Sequence, residues 1–108
     1  MKGSFIAQVS TAFTVIFDFD VTPAQQNELA EKLPGLVSEI VSKQPGFLAA
    51  HLHLSTDGKK VLNYFQWESK QAFDSFRQNE DIQKHIRPIL QQYSPTPRVY
   101  EIAFSAVS

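Results

Sequence analysis

The sequence predicts an α+β domain whose elements follow the order β-α-β-β-α-β, and three observations carry that prediction. A stretch near the start alternates apolar and polar residues with period two, as a half-buried strand does. A capping sequence and a helical apolar stripe follow it at once. Further along, two strand-like runs flank an Asp-Gly pair, which marks a hairpin.

Residues 1–12 are small and polar apart from Phe5, Ile6 and Val9. They read as a loose tail or an extra edge strand ahead of a single domain over residues 13–108. In the first strand Phe13, Val15, Phe17 and Phe19 fall on one side, and Thr14, Ile16, Asp18 and Asp20 on the other. Thr22-Pro23-Ala24-Gln25 then supplies a capping Thr, a Pro at the first helical position and a Gln at N3. The helix carries Leu29, Leu33, Leu36, Val37, Ile40 and Val41 at helical spacing. Pro34-Gly35 inside it should kink or split it.

Pro45-Gly46 makes a turn, Phe47 to Leu54 forms a second strand, and Lys60 to Trp67 returns antiparallel after Asp57-Gly58. Ser69 caps a helix through Phe73 and Phe76; Asn79 caps another with Ile82, Ile86, Ile89 and Leu90, bent at Arg87-Pro88. Ser94 to Pro97 reads as a loop, and Val99 to Ala106 closes the sheet.

This is the split βαβ arrangement of ferredoxin-like domains, with an antiparallel sheet. Helices cover one face. The other would expose residues such as Ile16, Leu52 and Leu62 or their alternates, and a bare apolar face calls for a partner. A symmetric homodimer closing two sheets into an α/β barrel is the simplest expectation.

Composition removes several classes of function. With 108 residues there is room for one core. A net charge of −1 offers no basic field for nucleic acid. Without cysteine there are no disulfides, thiolate metal sites, iron–sulfur clusters or thiol nucleophiles. The four glycines build no phosphate-binding loop, so neither a nicotinamide nor a flavin cofactor is expected. No segment approaches the roughly 20 apolar residues of a membrane span. No signal-like run follows Lys2, so cytoplasmic residence is expected.

Two stretches are more specific than a fold pattern. One is Gln44-Pro45-Gly46-Phe47-Leu48, running on to Leu54-Ser55-Thr56-Asp57-Gly58; the other is Val61-Leu62-Asn63-Tyr64-Phe65-Gln66-Trp67-Glu68-Ser69-Lys70-Gln71-Ala72-Phe73. Together they resemble the antibiotic biosynthesis monooxygenase family, in particular its cofactor-less, quinone-forming members, from about Phe13 to Phe104. The resemblance implies a dimeric ferredoxin-like fold and a substrate cavity lined by an Asn and a Trp on the third strand, a Tyr on the next helix and an Arg beyond it. The Asn matches Asn63 and the Trp matches Trp67. The Tyr position falls on Phe73, which has no hydroxyl, and the Arg matches Arg87.

Asn63 and Trp67, four apart on a strand, share a face and lie about 13 Å apart along it. Asn63 can donate to a ligand oxygen, and Trp67 offers a ring face and one N–H. The competing readings are a strand amide bonded to a neighbour and a core aromatic closing the strand end. Arg87 could stabilise a phenolate, or stand as an exposed helix arginine. Phe17, Phe73 and Phe76 are candidates for the substrate-binding wall.

His51 and His53 alternate with Leu52 and Leu54, so both imidazoles face one side. They are candidates for substrate contact, a polar patch, a dimer contact or a general base. As metal ligands they lack a third partner, and no metal is expected.

What remains is chemistry in which the substrate supplies the electrons. A deprotonated phenol or anthrone gives an electron to dioxygen and recombines with the superoxide formed, while the protein supplies a dry cavity and holds the anionic oxygen. The expected partners are an aromatic small molecule and dioxygen, with no cofactor. Two other readings stay open. One is a non-catalytic small-molecule-binding or housekeeping protein of the same fold, favoured by Phe73. The other is haem degradation, for which similar proteins use an Asn on the first strand, a Trp and an axial His. Here the first strand offers Phe17 and Asp18, Phe76 stands where the Trp is expected, and His85 lies near the axial position.

Overall fold

A computed structural model of the chain describes residues 12–108. Strands β1 (Phe13–Asp20), β2 (Phe47–Leu54), β3 (Lys60–Trp67) and β4 (Thr96–Glu101) form one antiparallel sheet in the order β2-β3-β1-β4. Helices α1 (Pro23–Glu39), α2 (Lys70–Gln78) and α3 (Glu80–Tyr93) complete an α+β, ferredoxin-like fold. The tail or edge strand expected over residues 1–12 lies, Ala12 apart, outside the described residues.

Local chemistry sets the element ends. The Thr22 hydroxyl accepts from the Gln25 amide at 3.2 Å while the Gln25 side chain accepts from the Thr22 amide at 2.9 Å, a complete capping box at the start of α1. Ser69 and Asn79 cap α2 and α3. The hairpin turns through Gly58 at φ +79°, a conformation open to glycine. There the Ser55 hydroxyl accepts from the Lys60 amide at 2.8 Å and donates to Asp57 at 2.7 Å. That bond and the Lys59 amide hold the Asp57 carboxyl below its usual range. Buried Gln26 ties α1 to this hairpin by donating to the carbonyls of Ser55 and Lys60 at 2.9 and 3.1 Å.

Several expectations are corrected. Pro34 does not split α1, which runs unbroken to Glu39; α3, expected to bend at Arg87-Pro88, runs from Glu80 to Tyr93 through that pair. Both prolines are exposed, so water can satisfy the carbonyls they free, and the Pro34 carbonyl itself accepts the Ser38 hydroxyl at 2.8 Å. Val41 leaves the helix for a short 3-10 turn over Val41–Lys43 but stays buried. The last strand starts three residues early, at Thr96, and stops at Glu101 rather than Ala106. Pro97 is tolerated because β4 is an edge strand, and Glu101 stands opposite Phe13, where β1 begins.

Register decides the faces, because cross-strand partners point the same way. Val15, Phe19, Val61, Phe65 and Trp67 are buried on the helix-covered face. Phe17 stands opposite Asn63 on that face, and so does Leu52. Leu52 therefore packs against the core beside Phe19 and Leu29 instead of lying bare on the far face, where Ile16 and Leu62 are found. The far face also carries Tyr64, His51 and His53. Lys60 bonds Asp18 and Asp20 there at 3.0 and 2.8 Å, and the pair, Asp20 foremost, raises the lysine's pKa.

Candidate active site

Between the helices and the sheet lies a cavity of about 380 Å³, within the range of about 300–1,000 Å³ found for small-molecule sites. β1 and β3 form its floor with Phe17, Asn63, Phe65 and Trp67. α2 contributes Phe73 and Phe76; α1 and α3 add aliphatic wall such as Val37, Ile86 and Ile89. Pro97 to Val99 of β4 border it. Among the described residues no aspartate, glutamate, histidine, lysine or tyrosine lines it.

Asn63 sits mid-strand and is 5% exposed, flanked by Phe17 and Leu52. Its amide makes no side-chain hydrogen bond among the described residues. Four residues on, Trp67 is fully buried and its indole N–H has no partner among the described residues. The ring is packed by Phe76 at 4.9 Å, Phe47 at 5.6 Å and Phe73 at 6.0 Å between centroids. Trp67 is thus a core aromatic and a cavity wall together. The site offers the Asn63 amide as an N–H donor in apolar surroundings where an unmade bond is costly; the Trp67 indole N–H on the same strand face is itself fully buried.

Asn63, Trp67, Phe17, Phe73 and Phe76 are brought together; the other candidates are not. Arg87 lies outside the cavity, exposed on α3 and paired with Glu80. Ile86 and Ile89 of the same helix belong to the lining, and Arg87 does not. His51 and His53 are exposed on the opposite face of the sheet, their rings 6.5 Å apart and each about 6 Å from Tyr64. No group of three or more potential metal-ligating residues occurs among the described residues. His85 is exposed and does not border the cavity.

Three polar lining residues, Arg77, Gln83 and Arg98, escaped the sequence reading. Arg77 borders the cavity with its guanidinium carbon 5.6 Å from the centre of the Phe73 ring. The signal was available, since Arg77 follows Phe73 by four residues on one helix. Gln83 donates to the Phe76 carbonyl at 2.9 Å and so joins α3 to α2. Outside the cavity, the Tyr93 hydroxyl donates to Glu28 at 2.5 Å, and that bond, with burial, pushes its pKa to about 12.

The model of the antibiotic biosynthesis monooxygenase family matches residues 12–88. Tetracenomycin-F1 monooxygenase of Streptomyces glaucescens is 33% identical over 93 residues, which is 86% of this chain and 83% of that protein. A monooxygenase from the gene ActVA-Orf6 of Streptomyces coelicolor, solved in complex with nanaomycin D, superposes with a TM-score of 0.78 at 31% identity, covering 92% of this chain and 94% of the other. Rv0793 from Mycobacterium tuberculosis shares the fold, with a TM-score of 0.71 at 17% identity over 90% of this chain and 100% of its own. No helix among the described residues is long and apolar enough to cross a membrane.

Proposed function

The chain belongs to the antibiotic biosynthesis monooxygenase family, and we propose that it is a cofactor-independent monooxygenase that oxidises an electron-rich phenol or anthrone with dioxygen to a quinone. The observation that carries this reading is the buried Asn63 amide, with no side-chain hydrogen bond among the described residues, set in an apolar cavity walled by aromatic rings. Relatives at 33% and 31% identity named as monooxygenases support it.

In this mechanism the aromatic ring lies between β3 and α2. Asn63 donates to the oxygen that becomes anionic when the substrate loses its proton. The anion passes one electron to dioxygen, and the ring radical and superoxide combine at carbon to a peroxide anion, which takes back from water the proton the phenol gave up and becomes a hydroperoxide. Loss of water from a CH–OOH carbon leaves C=O, so one oxygen atom enters the product and the other leaves as water. Trp67 and Phe76 fix the ring plane. The apolar wall keeps the anion poorly solvated and reactive.

Oxygen uptake with an anthrone substrate tests this directly. Wild-type protein should exceed the spontaneous rate, and Asn63→Ala should lower turnover by about 10²–10³-fold, the cost of one lost oxyanion donor. Turnover unaffected by that change rules out the role given to Asn63. The absence of a hydroxyl at Phe73 favours a second reading, ligand binding without turnover; uptake at the spontaneous rate with a ligand still bound would select it.

The working unit in this proposal is a homodimer. The far sheet face presents Ile16, Leu62 and Tyr64 as its apolar residues, and a second copy of the same face covers them with two-fold symmetry.

A further inference from the structure

We propose that Arg77 sets the substrate specificity of the cavity by holding a carboxylate carried at the end of the aromatic substrate remote from Asn63. The inference rests on the cavity being the substrate site. The lining contains two arginines, Arg77 and Arg98, and among the described residues no carboxylate to neutralise them. Arg98 stands in register with Ile16, whose side chain is on the far face, so it is Pro97 and Val99 that β4 turns toward the cavity. Arg77 is left as the cationic side chain.

Asp74 is shared between two cations, one oxygen 2.6 Å from Lys70 and the other 4.0 Å from Arg77, so Arg77 keeps only a long, exposed ion pair. The guanidinium instead rests over Phe73, in a cation–π position that steadies it without occupying its donors. Phe73 lies 6.0 Å from Trp67, whereas Asn63 is about 13 Å back along the strand from Trp67. Asn63 thus lies mid-strand, while Arg77, over Phe73, is set toward the Trp67 end of the hollow. A guanidinium fork matches a carboxylate with two parallel hydrogen bonds, which a lone amide or indole cannot do. At 65% side-chain exposure the pair is partly screened, so it sorts substrates more than it tightens binding.

The test uses Trp67, the one tryptophan of the chain, as its reporter. Quenching of its fluorescence by a hydroxyanthraquinone carboxylic acid and by the methyl ester of the same compound gives both affinities without turnover. Wild type should bind the acid roughly three- to tenfold more tightly than the ester, less so at high salt. Arg77→Gln should erase that difference and leave ester binding unchanged; Arg77→Lys, keeping charge but not the fork, should fall between. An acid preference that survives Arg77→Gln, or that is lost only in Arg87→Gln, overturns the inference. If acid and ester bind alike with and without Arg77, this inference alone fails. If neither ligand quenches Trp67, the cavity reading fails with it.

Discussion

Replacing Asn63 with Leu should make the protein more stable and less active. The Asn63 amide is 5% exposed and has no side-chain partner among the described residues. A buried polar group without a bond costs about 1–3 kcal/mol, and water in the empty cavity can recover part of that, leaving a gain of about 1–2 kcal/mol for an apolar replacement of similar size. The neighbouring Phe17, Leu52 and Phe65 give Leu an apolar setting, and the cavity leaves room for its shape, so overpacking is not expected. For a domain of this length that gain corresponds to a rise in Tm of roughly 4–8 °C. Thermal unfolding must be compared at one protein concentration, since a dimer's Tm depends on it. Oxygen uptake by the same variant should fall by about 10²–10³-fold. A variant destabilised by more than about 1 kcal/mol would show that the amide has a structural partner; one that is stabilised but fully active would refute the catalytic assignment.

Other consequences can be checked separately. A side chain at Gly46, which has φ +83°, would bring a Cβ to 2.4 Å from the Ala72 Cβ, so Gly46→Ala should cost about 2 kcal/mol or more in a denaturant titration. Tyr93 has its pKa raised from 10.0 to about 12; its bond to Glu28 therefore stabilises the fold fully below pH 10 and is lost as pH rises through 12. In a phenolate absorbance titration Tyr93→Phe should remove a late-titrating component, and the stability gap to wild type should close at high pH. Leu62→Arg places a charge on the far sheet face, and sedimentation should then show monomers if that face is the dimer contact. With no proton acceptor in the lining, the acid limb of the pH–rate profile should move with the phenol pKa of the substrate chosen; a limb fixed across substrates would point to a protein base.

Much of the scaffold was legible because its signals are local. The Thr22 capping box, the Asp57-Gly58 hairpin and the caps at Ser69 and Asn79 each depend on residues within about four positions of one another. So does the pairing of Asn63 with Trp67 on one strand face. Leu52 was misplaced for a reason that composition does not reveal. The β2–β3 register shifts between Phe47 and Ala49, and a one-residue bulge reverses which alternate side chains point inward. Phe47 and Leu52 consequently share the helix-covered face although odd and even in number, and His51 and His53 are turned to the far side. Arg87 and Arg77 illustrate a second limit. Both lie on amphipathic helices, and only the rotation of each helix on the sheet decides which reaches the cavity.

The arrangement divides the catalytic work in an unusual way. Asn63 lies on β3, bonded to β1 on one side and β2 on the other, so its amide is carried by a rigid support. Gln83 locks α3 to α2 over the same cavity. In the proposed mechanism the protein thus holds the Asn63 donor in a fixed position, a standing cost relieved by a substrate oxygen placed against it. Such a donor favours the anion over the neutral phenol, and so would lower the substrate's own pKa inside the cavity, the proton passing to water. Selectivity follows from the same geometry. A ring system that cannot ionise, or whose anion passes electrons to oxygen too slowly, gains nothing from these contacts, so the substrate's redox chemistry and the protein's hydrogen bonds must be matched for turnover to occur.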